Sequence, residues 1–77
     1  MNKERRKRIG GVINRLAELE EILDLVIDEE QEAYANLPEE IQVGEKGDLM
    51  MAVVTALEEA IAEIQTARTE LENAVGK

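Results

Sequence analysis

Apolar residues recur along this chain in alternating steps of three and four. The first series is Ile9, Val12, Leu16, Leu19, Leu23 and Val26, extended by Glu30 and Ala33; the second is Met50, Val53, Leu57, Ala60, Ile64, Ala67, Leu71 and Ala74. Steps of that size return to one side of an α-helix, so the pattern predicts two long amphipathic helices that pack along their length. Helix one is expected to start near Lys3 and to end by Ala35 or Asn36, because Leu37 precedes Pro38 and a residue before proline is pushed out of helical geometry. Some thirty residues rising 1.5 Å each make a rod of about 50 Å. Gly10 and Gly11 fall inside this helix and cost about 1 kcal/mol each relative to alanine, so the first turns are expected to fray or kink. Residues 37–47 read as the loop, with Pro38 opening a short turn, Gly44 or Asp48 capping helix two, and Gly76 ending it. One domain thus divides into a basic tip (1–8), helix one (9–36), a loop (37–47) and helix two (48–75).

The predicted fold is all-α: an antiparallel two-helix hairpin, coiled-coil-like, that assembles into a four-helix or larger bundle. Facing pairs of Leu23 with Ala60, Leu19 with Ile64, Leu16 with Ala67, Val12 with Leu71 and Ile9 with Ala74 make every layer apolar and centre the turn near Ile41 and Gln42. Alanine at 60, 67 and 74 allows an interaxial spacing near the low end of 8 to 10 Å. Apolar side chains also lie beside this stripe, at Ile13, Ile22, Ile27, Tyr34, Val54, Ile61 and Val75. So wide an apolar face belongs to a bundle of more than two helices, and Ile13, Ile27, Val54 and Ile61 are the expected contacts between copies, most simply in a two-fold dimer.

Charge is unevenly divided. Lys3, Arg5, Arg6, Lys7 and Arg8 crowd the start, and beyond Ile9 the cations are Arg15, Lys46, Arg68 and Lys77 in a chain of net charge −9. An acidic body repels nucleic acid and anionic membrane, so a nucleic acid would be engaged weakly, through the basic N-terminal arm. No apolar run approaches the ~20 residues that span a bilayer, and the charged start does not read as a signal peptide. With no cysteine to staple so short a chain, stability must come from packing or a partner, and a soluble, cytoplasmic protein without membrane contact is expected.

The sequence contains no histidine, cysteine or serine. Nucleophilic triads, cysteine or histidine zinc sites and Glu-x-x-His di-iron ligation are thereby excluded, leaving carboxylate chemistry alone. Glu29-x-x-Glu32 followed by Glu45-x-x-Asp48 echoes the magnesium-binding carboxylates of all-helical nucleotide pyrophosphohydrolases, but Glu29 and Glu32 point outward in this frame, so the acids read as a solvated face. No enzyme activity, metal or cofactor is expected. Glu30 falls inside the seam, where a carboxylate must find a cation, reach water or fix register. Arg15 is expected to face Glu70 across the hairpin as a surface pair worth under about 1 kcal/mol. Tyr34, the one aromatic residue, stands a turn before the loop, either as an amphipathic plug or as a stacking platform for a base with Lys46, or Arg8 of a neighbouring protomer, close by. Tip and loop lie at opposite ends of the hairpin and could share a ligand only across a subunit boundary.

The run Tyr34-Ala35-Asn36-Leu37-Pro38-Glu39-Glu40-Ile41-Gln42-Val43-Gly44-Glu45-Lys46-Gly47, after Glu29-Glu30-Gln31-Glu32 and a basic start, resembles a family of small acidic helical proteins carried by phages, prophages and mobile elements. The Asn-x-Pro-Glu-x-x-Gln turn is its distinctive part. The resemblance implies a phage or mobile-element setting, in which small non-enzymatic proteins neutralise host defences by inhibiting a defence protein or sequestering a nucleotide signal. The sequence is therefore read as a binding protein that presents Tyr34, Asn36, Gln42 and Lys46 at the loop, and Arg5, Arg6 and Arg8 at the tip, to a ligand. The alternatives are a nucleic-acid accessory factor and a structural scaffold component.

Overall fold

A computed structural model describes residues 1–76. It is all-α: α1 spans Lys3–Ala35, α2 is a single turn at Glu39–Gln42, and α3 spans Glu45–Val75. Among the described residues there is no strand. The two long helices lie against each other in a molecule measuring 58 × 15 × 12 Å, so the fold is a thin rod.

Each boundary has a local cause. Asn2 caps α1, its side-chain oxygen accepting from the Arg5 N–H at 2.8 Å. This cap lies upstream of the basic residues and makes them part of the helix. The start at Lys3 is the one expected, the basic residues of 1–8 form the first turns of the helix, and α1 runs unbroken through Gly10 and Gly11. At the other end Asn36 closes α1, and Pro38, whose ring denies Leu37 a helical conformation, turns the chain to extended geometry at ψ 145°. The segment expected to be a plain loop contains α2, whose first bonds run from the Ile41 and Gln42 N–H groups to the Pro38 carbonyl. Gly44, and not Asp48, then serves as N-cap, so α3 begins three residues earlier than the expected 48.

Between the long helices, burial fixes which residues form the seam. On α1 the covered or half-covered positions are Ile9, Gly10, Ile13, Leu16, Ala17, Leu19, Glu20, Leu23, Ile27, Glu30 and Tyr34; on α3 they are Gly47, Met50, Val54, Leu57, Ala60, Ile61, Ile64, Ala67, Arg68, Leu71 and Val75. Most of the predicted stripe is covered: Ile9, Leu16, Leu19, Leu23 and Glu30 with Met50, Leu57, Ala60, Ile64, Ala67 and Leu71. Val12, Val26, Ala33, Val53 and Ala74 are exposed and the residue after each is covered instead, which turns each helix about its axis.

The displacement reverses two sets of assignments. Ile27, Val54 and Ile61, expected between copies, are the buried core of the chain itself, with Leu23 and Leu57 packed against them, and Ile13 is half-buried in the same row. Val12, Val26 and Val53, expected in the seam, are exposed at 50%, 38% and 48%. The predicted facing pair built on Val12 does not hold. The physical reason is a polar layer: Glu20 is buried in the seam and accepts from the guanidinium of Arg68, on the opposite helix. A carboxylate bonded to a cation from the facing helix is satisfied where an isolated one is not, and one ion pair turns the helices so that Glu20 faces inward. Arg15 bonds Glu18 on its own helix at 2.9 Å rather than Glu70 across the seam.

Candidate functional site

At the loop end, three residues converge on one peptide group. The Tyr34 hydroxyl donates to the Gln42 carbonyl at 3.3 Å. The Gln42 side-chain amide returns the contact, donating to the carbonyls of Tyr34 at 3.0 Å, Leu37 at 3.1 Å and Ala35 at 3.4 Å. The last carbonyls of a helix have no partner within it, so this amide supplies the C-terminus of α1 with donors from outside the helix. Gly47, buried in the first turn of α3, completes the junction. A Cβ there would stand 2.0 Å from the Gln42 carbonyl oxygen and 2.6 Å from its carbon, so only glycine allows α3 to pass this close to the backbone of Gln42.

This geometry accounts for the turn motif residue by residue. Asn36 closes α1, Pro38 starts α2, and Gln42, four residues after Pro38, has its side chain under the end of the helix that the proline terminated. Tyr34 and Gln42 are therefore bonded to each other and to the backbone, and of the four loop residues assigned to a ligand, Asn36 and Lys46 are exposed. Tyr34 is half-buried, as an amphipathic plug.

Arg5, Arg6 and Arg8 are exposed on the first turns of α1, at the end of the rod away from the loop. A shallow cleft of about 450 Å³ lies there, lined by Met1, Arg5, Arg8, Ile9 and Val12, two cations beside apolar side chains. Loop and tip are separated by the length of α1, about 50 Å for 33 residues, so the two halves of the predicted ligand set do not meet within one chain. Glu29, Glu32, Glu45 and Asp48 are all exposed. Among the described residues no group of three acids gathers closely enough to hold a metal ion, and no described helix is long and apolar enough to cross a membrane.

The wide apolar face that the sequence predicts is made largely of other residues than expected. Val12, Leu19 and Val26 each immediately precede a seam residue on α1, as Val53, Ala60 and Ala67 do on α3. The contacts climb along α3 as they descend along α1, from Gly47 beside Gln42 to Arg68 beside Glu20. In helices so arranged, positions just before the seam fall on the same side of the pair. With Ile22 and Leu49, exposed at 52% and 63%, they give that side an apolar stripe, which Arg15, Glu29, Lys46, Glu63 and Glu70, at equivalent positions, interrupt with charge. Positions just after the seam hold Asp24, Gln31, Glu58, Gln65 and Glu72, so the opposite side is polar apart from Ala17, Ala35, Met51 and Ala62. Adjacent apolar pairs, Val12-Ile13, Val26-Ile27 and Val53-Val54, were the available signal: one member of each enters the seam and the other is left outside. Comparison with family models, with curated proteins and with solved structures finds no match to this chain.

Proposed function

We propose that this chain is a non-enzymatic binding protein, a helical hairpin that acts by laying its apolar face against other helices. The observation that supports the reading is the set of large apolar side chains on one side of the rod, with Val12, Ile22, Val26, Leu49 and Val53 each between 38% and 63% exposed. A contiguous apolar surface rimmed by polar residues is what helix-in-groove recognition uses. In the phage or mobile-element setting that the loop resemblance implies, the target is a host defence protein that offers amphipathic helices. A nucleotide signal is the less favoured ligand, because Tyr34 and Gln42 hold the junction together by bonding to each other.

The test is affinity purification from host cells of the wild-type chain beside Val26→Glu, with native mass spectrometry of the eluate. A stoichiometric protein partner lost from the variant is the expected result. A partner retained in full by Val26→Glu overturns the reading, and so does tight calorimetric binding of a cyclic or linear nucleotide that Val26→Glu leaves unchanged.

A second reading has its own observation, the row of exposed cations on the first turns of α1. If these grip phosphates, binding to nucleic acid falls steeply from low to physiological salt and is abolished when Arg5, Arg6 and Arg8 are replaced by glutamine. Salt-insensitive binding, or binding that survives the replacements, removes it.

A further inference from the structure

The apolar face has an occupant that the shape and charge of the chain select. We propose that a second copy covers it, the two rods face to face and pointing in opposite directions, so that the loop of each lies beside the terminal end of the other. The inference goes beyond the binding reading above: both use the same face, and a second copy occupies it in place of a foreign helix, so the test below separates the two.

Area is the first argument. The accessible surface of the chain is 5797 Å², whereas a compact monomer of 8.6 kDa exposes about 4,700 Å². The excess of about 1,100 Å² exceeds the roughly 800 Å² that each partner contributes to a stable interface of standard size. Only Ile27, Val54 and Ile61 are buried apolar residues within a single copy among the described residues, so most of the apolar surface has no cover inside the chain. A second copy is the occupant that matches the face in length at every point.

Charge fixes the direction. Residues 24–59, the loop half, carry eleven carboxylates and one lysine, a formal charge of −10; the remaining residues carry eight cations and seven carboxylates, or +1. Copies pointing the same way would set the two −10 halves side by side. Opposed copies place Arg5, Arg6, Lys7 and Arg8 of each beside the acidic loop half of the other, which replaces repulsion with attraction along the whole rod.

Opposed rods related by a two-fold axis across the face bring α1 onto α1 and α3 onto α3. Ile22 then lies near the axis on one side and Ala60 on the other. Away from the axis sizes alternate: Leu49 and Val53 of one copy meet the alanines at 67 and 74 of its partner, and Val12 meets the alanine at 33. Small residues opposite large ones let the α3 pair approach near the short end of the 8 to 10 Å range. The seam and this interface together make a four-helix bundle whose outer sides carry the polar residues.

Sedimentation equilibrium of the purified chain is expected to give twice the 8.6 kDa chain mass at micromolar concentration. Val26→Glu, on the apolar face, is expected to weaken association about 100-fold, and Met51→Glu, on the polar side, by less than about 3-fold. Direction is read separately from a spin label at Val43→Cys, which uses the absence of native cysteine and a loop side chain that is 77% exposed. Opposed copies put the two labels near the 58 Å length of the rod, whereas copies pointing the same way put them within about two helix diameters, roughly 20 Å. A monomer at 100 micromolar, a larger assembly, equal effects of the two glutamates, or a distance near 20 Å overturns the proposal. Should the chain sediment as a monomer while Val26→Glu still loses a host protein, the face docks a foreign helix and the binding reading stands without this one.

Discussion

The two halves of the rod are held by different means. On the loop side of the Glu20 and Arg68 layer lie the buried apolar residues Ile27, Val54 and Ile61, the bonds between Tyr34 and Gln42, and the close approach of Gly47. Toward the termini no described apolar side chain is fully covered, and two adjacent glycines sit in an exposed stretch of helix with nothing within 4 Å of where their Cβ atoms would be. Between the halves stands the pair of Glu20 and Arg68, at the layer where the apolar core ends. Cohesion is therefore graded along the molecule, and the acidic half is the better held of the two.

The largest expected effect comes from that boundary. Arg68→Ala leaves the Glu20 side chain, only 8% exposed, buried without its cation and is expected to cost about 3 to 5 kcal/mol, against under about 1 kcal/mol for Arg15→Ala on the surface. Urea denaturation at one fixed protein concentration measures both, and a loss for Arg68→Ala no larger than that for Arg15→Ala would show the boundary to be unimportant. Replacing Glu20 and Arg68 together by leucine is expected to restore or exceed wild-type stability, because well-packed apolar groups match or surpass a buried ion pair. What the double variant should lose is the rotational setting of the helices, visible as altered burial of Val12 against Ile13 in side-chain exchange or labelling.

The same substitution placed in each half should have opposite signs. Gly47→Ala drives a methyl group into the Gln42 carbonyl and is expected to destabilise by about 2 kcal/mol, while Gly11→Ala meets open space and is expected to stabilise by up to about 1 kcal/mol. Thermal melts read both, and a shift in the same direction would contradict the graded picture. Between them in size, Gln42→Ala removes the donor to three carbonyls and should cost about 1 to 2 kcal/mol. Gln65→Ala, on the polar side, is expected to stay within about 0.5 kcal/mol of wild type.

What sequence alone made legible was the period and not the phase. Steps of three and four residues established two long helices, and Pro38 marked the end of the first. The phase was ambiguous because apolar residues come in adjacent pairs, so two stripes one residue apart were nearly equal in hydrophobicity. Reading by apolarity put Val12 and Val26 in the seam and excluded Glu20. The stripe containing Glu20 becomes favourable only when Arg68, 48 positions away, is known to face it. The loop failed to read for a related reason. Tyr34 and Gln42 looked like ligand contacts as an aromatic and an amide on a turn, and nothing local in the sequence reveals that they satisfy each other.

Those loop bonds also bear on the order in which the chain folds. The Gln42 amide reaches carbonyls only five, seven and eight residues back, and the Tyr34 hydroxyl closes the same eight-residue span. Contacts over such short separations sacrifice little chain entropy, whereas joining Glu20 to Arg68 closes a span of 48 residues. Formation is thus expected to start at the turn and to zip toward the termini, Ile27 meeting Val54 and Ile61 before Glu20 meets Arg68. Substitutions at Gln42 and Gly47 should then slow refolding, whereas substitutions at Arg68 should chiefly hasten unfolding. The turn that looked like a place for a ligand is, in kinetic terms, the place where the molecule begins.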